Sequence, residues 1–440
     1  MTKESELLIA ALGWAVTGKN KELSLSADWE ALLKLAKGHM LLPLLYDGLQ
    51  KAGVWAQVPK DGANTLEKAC IQAVCQDAQM EHYRQTPEAR LKEEKIPHVF
   101  LKGAVLKYDY PDPSLRTMCD MDILVHTEDY PKIEKIAREL KGEAGHSDGN
   151  HRNYLFPGGV EVEFHPNLIH QDTPVGTEIN PGWQYTEQTA DGIRMTEEGI
   201  YLNTLCHLTN HFVLGGVGVR FVLDVWVNRH LRKNPVDREK VEKDLASFGL
   251  LEFAENVEAL AEYWFGAGES SLLLEELGEY ILTSGSHGRT DRAVLNSVTL
   301  SKGGSRASAL WGKLFYSRAE MEDCFPWCKG KPWLLPVAWF TRAFRAVTKR
   351  GKLIFRWSKE TSRVTKEQAD AQKEMLSRFG INKTREQKQL HYIRKQENDQ
   401  GIVTQNCAVF SKTCDQLLTN KNLVKQNNRY NSTTSRMLIY

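Results

Sequence analysis

Asp120 and Asp122 stand two residues apart in the stretch LRTMCDMDILVH (Leu115 to His126), directly ahead of the apolar run Ile123-Leu124-Val125. A run of that length reads as a buried strand, and strand side chains alternate between faces, so both carboxylates project from the same side. Two anions at that spacing repel each other. A metal ion or a basic side chain must lie between them.

The flanks place this strand in a mixed fold. Residues 5 to 94 carry apolar side chains at helical spacing, most clearly in ADWEALLKLAKGHMLLPLLYDGLQ and in TLEKACIQAVCQDAQMEHYRQTPEARLKEEK. The period then changes. IPHVFLKGAVL (Ile96 to Leu106) opens with a short apolar strand, and EDYPKIEKIARELK after the aspartates reads as a helix with an acidic first turn. HRNYLFPGGVEVEFHPNLI reads as a hairpin turning at Pro157-Gly158-Gly159. From about residue 194 the pattern is helical again, and beyond Gly380 it weakens into a segment holding 15 Asn or Gln. The expectation is an α+β protein: a helical region over 1–94, a small mixed sheet over 95–192, a larger helical region over 193–380, and a disordered tail over 381–440.

Composition narrows the function classes. The chain's 57 Lys and Arg nearly balance its 56 Asp and Glu, so no global field points to nucleic acid. No uncharged run of eighteen apolar residues suggests a membrane span, and the N-terminus lacks the pattern of a signal peptide. Eight scattered cysteines read as reduced thiols, since CFPWC (Cys324 to Cys328) has no second pair to complete a zinc site. A cytoplasmic location is expected.

In VEVEFH, Glu161, Glu163 and His165 share one strand face while Val160, Val162 and Phe164 share the other. If this strand lies beside the Asp120/Asp122 strand, Glu163 completes a three-carboxylate site. Such a site suits Mg²⁺, or Mn²⁺ in its place, because hard cations take oxygen ligands and keep substrate phosphates among them. Two ions roughly 3.5–4 Å apart could activate an attacking hydroxyl and stabilise the leaving oxygen. Upstream, Lys102-Gly103-Ala104 follows a strand directly, a small-residue turn suited to approaching a triphosphate, and Lys102 or Arg116 could supply positive charge.

The stretch FLKGAVLKYDYPDPSLRTMCDMDILV resembles the nucleotidyltransferase superfamily pattern: a Gly-small turn after a strand, then Asp-x-Asp on a second strand, then a third acidic residue nearby. More narrowly, the chain resembles the bacterial uncharacterised nucleotidyltransferase family over about residues 25 to 380. The matching residues are Leu101-Lys102-Gly103, Tyr110-Pro111, Arg116, Asp120/Asp122 and Glu163 with His165, and, in the helical half, His207, His211, Arg220 and Asp224. The turn has Gly103-Ala104 where many active members have Gly-Ser or Gly-Gly. The resemblance implies transfer of a nucleoside monophosphate from an NTP, by default ATP, to an acceptor that could be a small molecule, peptide, protein or RNA. It also implies a polymerase-β-like core, catalytic and metal-binding roles for Asp120, Asp122 and Glu163, and nucleotide contacts from Lys102, Gly103, Ala104 and Arg116. Two rivals use the same residues: a metal-dependent phosphohydrolase or nuclease, and a catalytically inactive nucleotide-binding module.

Other features have blander readings. His165 is expected to orient a ligand rather than bind metal. His207 and His211, at i and i+4, have zinc-like spacing but no evident third ligand, and are expected to hydrogen-bond or line the cleft. Asp224 sits in the apolar run FVLDVW and needs a buried partner, for which Arg220, one turn earlier, is the nearest candidate. The basic, aromatic RAFRAVTKRGKLIFRW is expected to be a packed helix with a solvated charged face.

Overall fold

The computed structural model describes residues 1–145, 151–169, 177–286, 288–301, 304–314, 318, 321–322, 325–328 and 330–381. From residue 382 onward, the expected disordered tail lies outside the described residues. Helices α1 (Lys3–Thr17), α2 (Trp29–Gly38), α3 (Leu42–Lys51) and α4 (Lys60–Glu93) fill the N-terminal part where helical periodicity predicted them. The local signals are the expected ones. The Thr2 hydroxyl accepts the Ser5 N–H at the start of α1, and the Asp28 carboxylate accepts those of Glu30 and Ala31 at the start of α2.

The sheet follows. Strands β1 (His98–Phe100), β2 (Asp120–Val125), β3 (Glu143–Ala144), β4 (Arg152–Phe156) and β5 (Val160–His165) lie in the order β1-β2-β5-β4-β3. The β2–β5 pair is parallel and the other three are antiparallel, so the sheet is mixed. The β4–β5 hairpin turns at Pro157-Gly158-Gly159, where both glycines take the left-handed conformation (φ +86° and +80°) that β-carbon-bearing residues avoid. Helices α5 (Gly103–Leu106) and α6 (Tyr130–Glu139) connect the first strands.

Period-two alternation sorts the sheet's two faces. Met121, Ile123 and Val125 of β2, with Val160, Val162 and Phe164 of β5, pack in one cluster with Met80 and Leu91 of α4 and Ile133 and Ile136 of α6. Burying each such side chain stabilises the fold by about 1.5–3 kcal/mol. The alternate residues, among them Asp120, Asp122, Glu163 and His165, are left for the opposite face. A second sheet, β6 (Thr186–Thr189) paired antiparallel with β7 (Gly192–Met195), was not anticipated from the sequence.

The C-terminal part is helical. It comprises α7 (Glu197–Leu214), α8 (Val219–His230), α9 (Arg238–Phe248), α10 (Leu251–Phe265), α11 (Leu272–Leu282), α12 (Thr290–Leu300), α13 (Arg306–Leu314), α14 (Leu335–Arg363) and α15 (Lys366–Arg378). The chain is therefore α+β, as expected. Just past α2, buried His39 ties distant parts together. Its Nδ1 accepts the Val219 N–H at 3.2 Å, which leaves Nε2 to donate to the Leu282 carbonyl at 3.1 Å. Among the described residues, no helix is long and apolar enough to cross a membrane.

Candidate active site

The parallel register sets Asp122 opposite Glu163 and Asp120 opposite Glu161. Because opposite residues of a pair point to the same face, Asp122 and Glu163 become side-by-side neighbours. His165, two residues along β5, brings Nε2 to 2.8 Å from Asp122 Oδ1 and 3.1 Å from Glu163 Oε2. Lys102 Nζ reaches the same Asp122 oxygen at 2.8 Å. One buried carboxylate oxygen thus faces both an ammonium and an imidazole nitrogen. On β4, the Asn153 amide donates to both Glu161 and Glu163, which holds the two glutamates in place.

The electrostatics follow from burial and from these partners. Burial alone would raise the Asp122 pKa, but Lys102 and His165 outweigh it and hold the carboxyl well below the usual carboxylate range. Burial, then the charge of Asp122, pushes Asp120 up to about 6. Glu163 is lowered despite its burial by the His165 contact. His165 is itself raised, because its carboxylate partners overcome the cost of burial. The face therefore holds four acids, Asp120, Asp122, Glu161 and Glu163, and Lys102 and His165 relieve the repulsion around Asp122 and Glu163.

Lys102 reaches this position at a backbone cost. Its φ of +48° and ψ of −122° lie in a region that side-chain-bearing residues rarely adopt, and such a conformation costs about 1–3 kcal/mol. The next residue, Gly103, has no room for a side chain, since a β-carbon there would sit 2.5 Å from Arg116 Nη1. Ala104 is buried and donates its N–H to the Leu101 carbonyl.

Lys102, Gly103, Asp120, Asp122, Glu163 and His165 line a cavity of about 330 Å³ walled on the other side by α7 and α8. Arg116, in the loop before β2, also lines the cavity, and its guanidinium forms a bidentate pair with Asp224 of α8: Nη2 to Oδ2 at 2.6 Å and Nε to Oδ1 at 3.1 Å. Tyr110 donates its hydroxyl to the same Asp224 at 2.7 Å. This corrects the expectation that Arg220 partners Asp224. Arg220 instead donates Nη1 to the Thr117 carbonyl at 2.8 Å, and among the described residues it forms no ion pair. One helical turn of separation suggested the pairing, but tertiary packing brings in a residue 108 positions away.

His207 and His211 line the cavity edge-to-face, ring centroids 4.4 Å apart. Burial, reinforced by the charge of Lys102, drives His207 well below the usual histidine pKa and keeps it neutral. Asn203 and Asn210, not singled out from the sequence, line the cavity beside them and are nearly fully buried. Their signal was available: polar residues at 203, 207, 210 and 211 form a stripe at helical spacing along an otherwise apolar helix.

Among the described residues, the His, Cys, Asp and Glu whose ligand atoms converge closely enough for a metal ion are Asp122, Glu163 and His165, all within 4.8 Å of one another. The carboxylate oxygens of Asp122 and Glu163 suit a hard cation such as Mg²⁺ or Mn²⁺, whereas the imidazole nitrogen of His165 is a ligand type that softer ions prefer. The model of a family described as uncharacterised nucleotidyltransferase matches residues 26–266, more than half of the chain.

The chain belongs to the uncharacterised nucleotidyltransferase family.

Membership supports a nucleotidyltransferase role in general, in a family that typically uses a divalent metal, and implies a nucleotide substrate. The match takes in α2 to α10 and the whole sheet, and stops before the helices from α11 onward. No curated protein and no solved structure matches the chain.

Proposed function

We propose that this protein transfers a nucleoside monophosphate from an NTP, by default ATP, to an acceptor hydroxyl or phosphate, releasing pyrophosphate. The observation that carries this reading is the register that sets Asp122 beside Glu163 in the lining of a cavity shared with Lys102. Asp120, Asp122 and Glu163 would hold Mg²⁺, with His165 at the edge of the set orienting Asp122 and Glu163. A divalent ion bound there supplies charge neutralisation for the triphosphate.

The chain's own groups do the rest. Lys102, already 2.8 Å from Asp122, is placed to contact a phosphate beside the metal ligands. Gly103 and Ala104 keep the turn narrow enough for phosphate oxygens to approach. Arg116 adds positive charge behind that turn while Asp224 and Tyr110 fix its orientation. Arg220 is the cation of this wall without a carboxylate partner among the described residues, and is offered to a phosphate or an anionic acceptor. Neutral His207, with His211, faces the acceptor side. Catalysis of this kind needs positioning and preorganised charge more than covalent chemistry.

The test is product analysis with each of the four NTPs labelled on the α-phosphate, in Mg²⁺ and with pooled acceptor candidates. Pyrophosphate together with a labelled acceptor supports transfer. Orthophosphate or free NMP would instead assign a hydrolase.

A further inference from the structure

Helix α14 buries one apolar face and leaves another in solvent. On the buried side, Ala338, with Leu334, Leu335 and Trp339, packs against Met321, Phe325 and Cys328. Further along, Trp357 packs against a cluster containing Val294, Val298 and Ala369. On the outer side, Val337, Phe340 and Phe344 are 53%, 74% and 64% exposed, and Trp333, one turn before Val337, is 70% exposed. The spacing of three and four residues puts Val337, Phe340 and Phe344 on one helical stripe, with Trp333 in the 3-10 turn just ahead of the helix. The same spacing continues in the sequence through Val347, Gly351 and Ile354.

Charge decides what such a stripe can meet. Between Cys324 and Lys359 there are nine Lys or Arg and no Asp or Glu, although the whole chain is almost neutral. The rest of the chain is therefore net acidic. A second copy of the helix would bring like charges together, which disfavours self-pairing. A basic helix of 29 residues with exposed Val337, Phe340 and Phe344, preceded by exposed Trp333, matches the interfacial amphipathic helix, whose apolar side sinks to the headgroup boundary while Lys and Arg meet anionic lipid. At about 1.5 Å per residue it would lie along roughly 43 Å of surface.

We infer that α14 docks the protein on an anionic membrane surface, with Trp333, Val337, Phe340 and Phe344 inserted. Apart from the basic segment 381–440, the rest of the chain is net acidic, so an anionic surface favours docking through α14. This inference does not depend on the chemistry of the active site.

The test is co-sedimentation of the full chain with vesicles of phosphatidylcholine alone and of phosphatidylcholine with phosphatidylglycerol. Binding is expected only with phosphatidylglycerol present, weakened by salt, with a blue shift in tryptophan fluorescence. F340E/F344E is expected to weaken binding at least tenfold with an unchanged melting temperature, because both positions are exposed. No binding to the anionic vesicles would overturn the inference, as would F340E/F344E binding like the native chain. Tight binding of poly(U) without vesicle binding would assign the face to RNA, and self-association abolished by F340E/F344E would assign it to a second copy.

Discussion

Arg116 and Asp224 close a bidentate ion pair between the loop preceding β2 and helix α8, with side chains only 6% and 3% exposed. The pair joins the strand that carries the aspartates to the helix that forms the opposite cavity wall. Its geometry and the added Tyr110 hydroxyl satisfy both charges, which a buried pair requires to offset desolvation.

Asp224→Ala leaves the Arg116 guanidinium buried without its partner, and is expected to cost about 3–5 kcal/mol of stability. Arg116→Met combined with Asp224→Leu should lose much less than the two single substitutions summed. Thermal and urea unfolding check both. Loss of less than about 1 kcal/mol in Asp224→Ala would contradict a fully desolvated pair.

Lys102 offers a test that separates backbone from charge. Lys102→Gly and Lys102→Ala both remove the partner of Asp122, but only glycine accepts φ +48° without strain. The glycine variant is expected to be the more stable by about 1 kcal/mol. Nucleotide binding should fall equally in both. A glycine variant that binds nucleotide like the native chain would remove the phosphate role of the lysine.

Glu163 and Glu161 differ in register, and hence in role. Glu163→Gln is expected to weaken Mn²⁺ binding by at least about 100-fold, beyond the usual effect of a residue that only supports a ligand. Glu161→Gln, which acts through Asn153, should cost about 10-fold or less. Titration calorimetry reads both, and the reverse order would contradict the site as drawn.

His39 predicts a pH dependence of stability. Burial lowers its pKa, so the folded state keeps the ring neutral while the unfolded chain protonates it below its ordinary value of about 6.5. The unfolded state therefore binds more protons in that window, and stability should rise with pH up to about 6.5 and fall on acidification below it. His39→Gln should reduce this slope, leaving the part due to His207, while losing about 1 kcal/mol at neutral pH through the missing acceptor for Val219. An unchanged slope in that variant would exclude His39 as its source.

What was legible in the sequence was what local period encodes. Alternation along β2 and β5 assigned Asp120, Asp122, Glu163 and His165 to one face and their apolar neighbours to the other. The expected adjacency of the two strands is the observed parallel pair. The partner of Asp224 was not legible, because proximity along α8 favoured Arg220 and only packing across the cavity supplies Arg116. The β6–β7 hairpin escaped because its strands are four residues each and mostly solvated, leaving little alternation to read. The exposed stripe of α14 escaped for the opposite reason. Its spacing looks like that of any packed helix until the neighbours are known.

The most direct test of the central claim is Mg²⁺-dependent binding of each of the four NTPs to the native chain and to Asp120→Ala/Asp122→Ala, followed by calorimetry. Binding of at least one NTP that requires Mg²⁺ and disappears in the double variant is the predicted result. NTP binding that is indifferent to Mg²⁺, or that survives loss of both aspartates, would contradict a metal-dependent nucleotidyltransferase centre on this face.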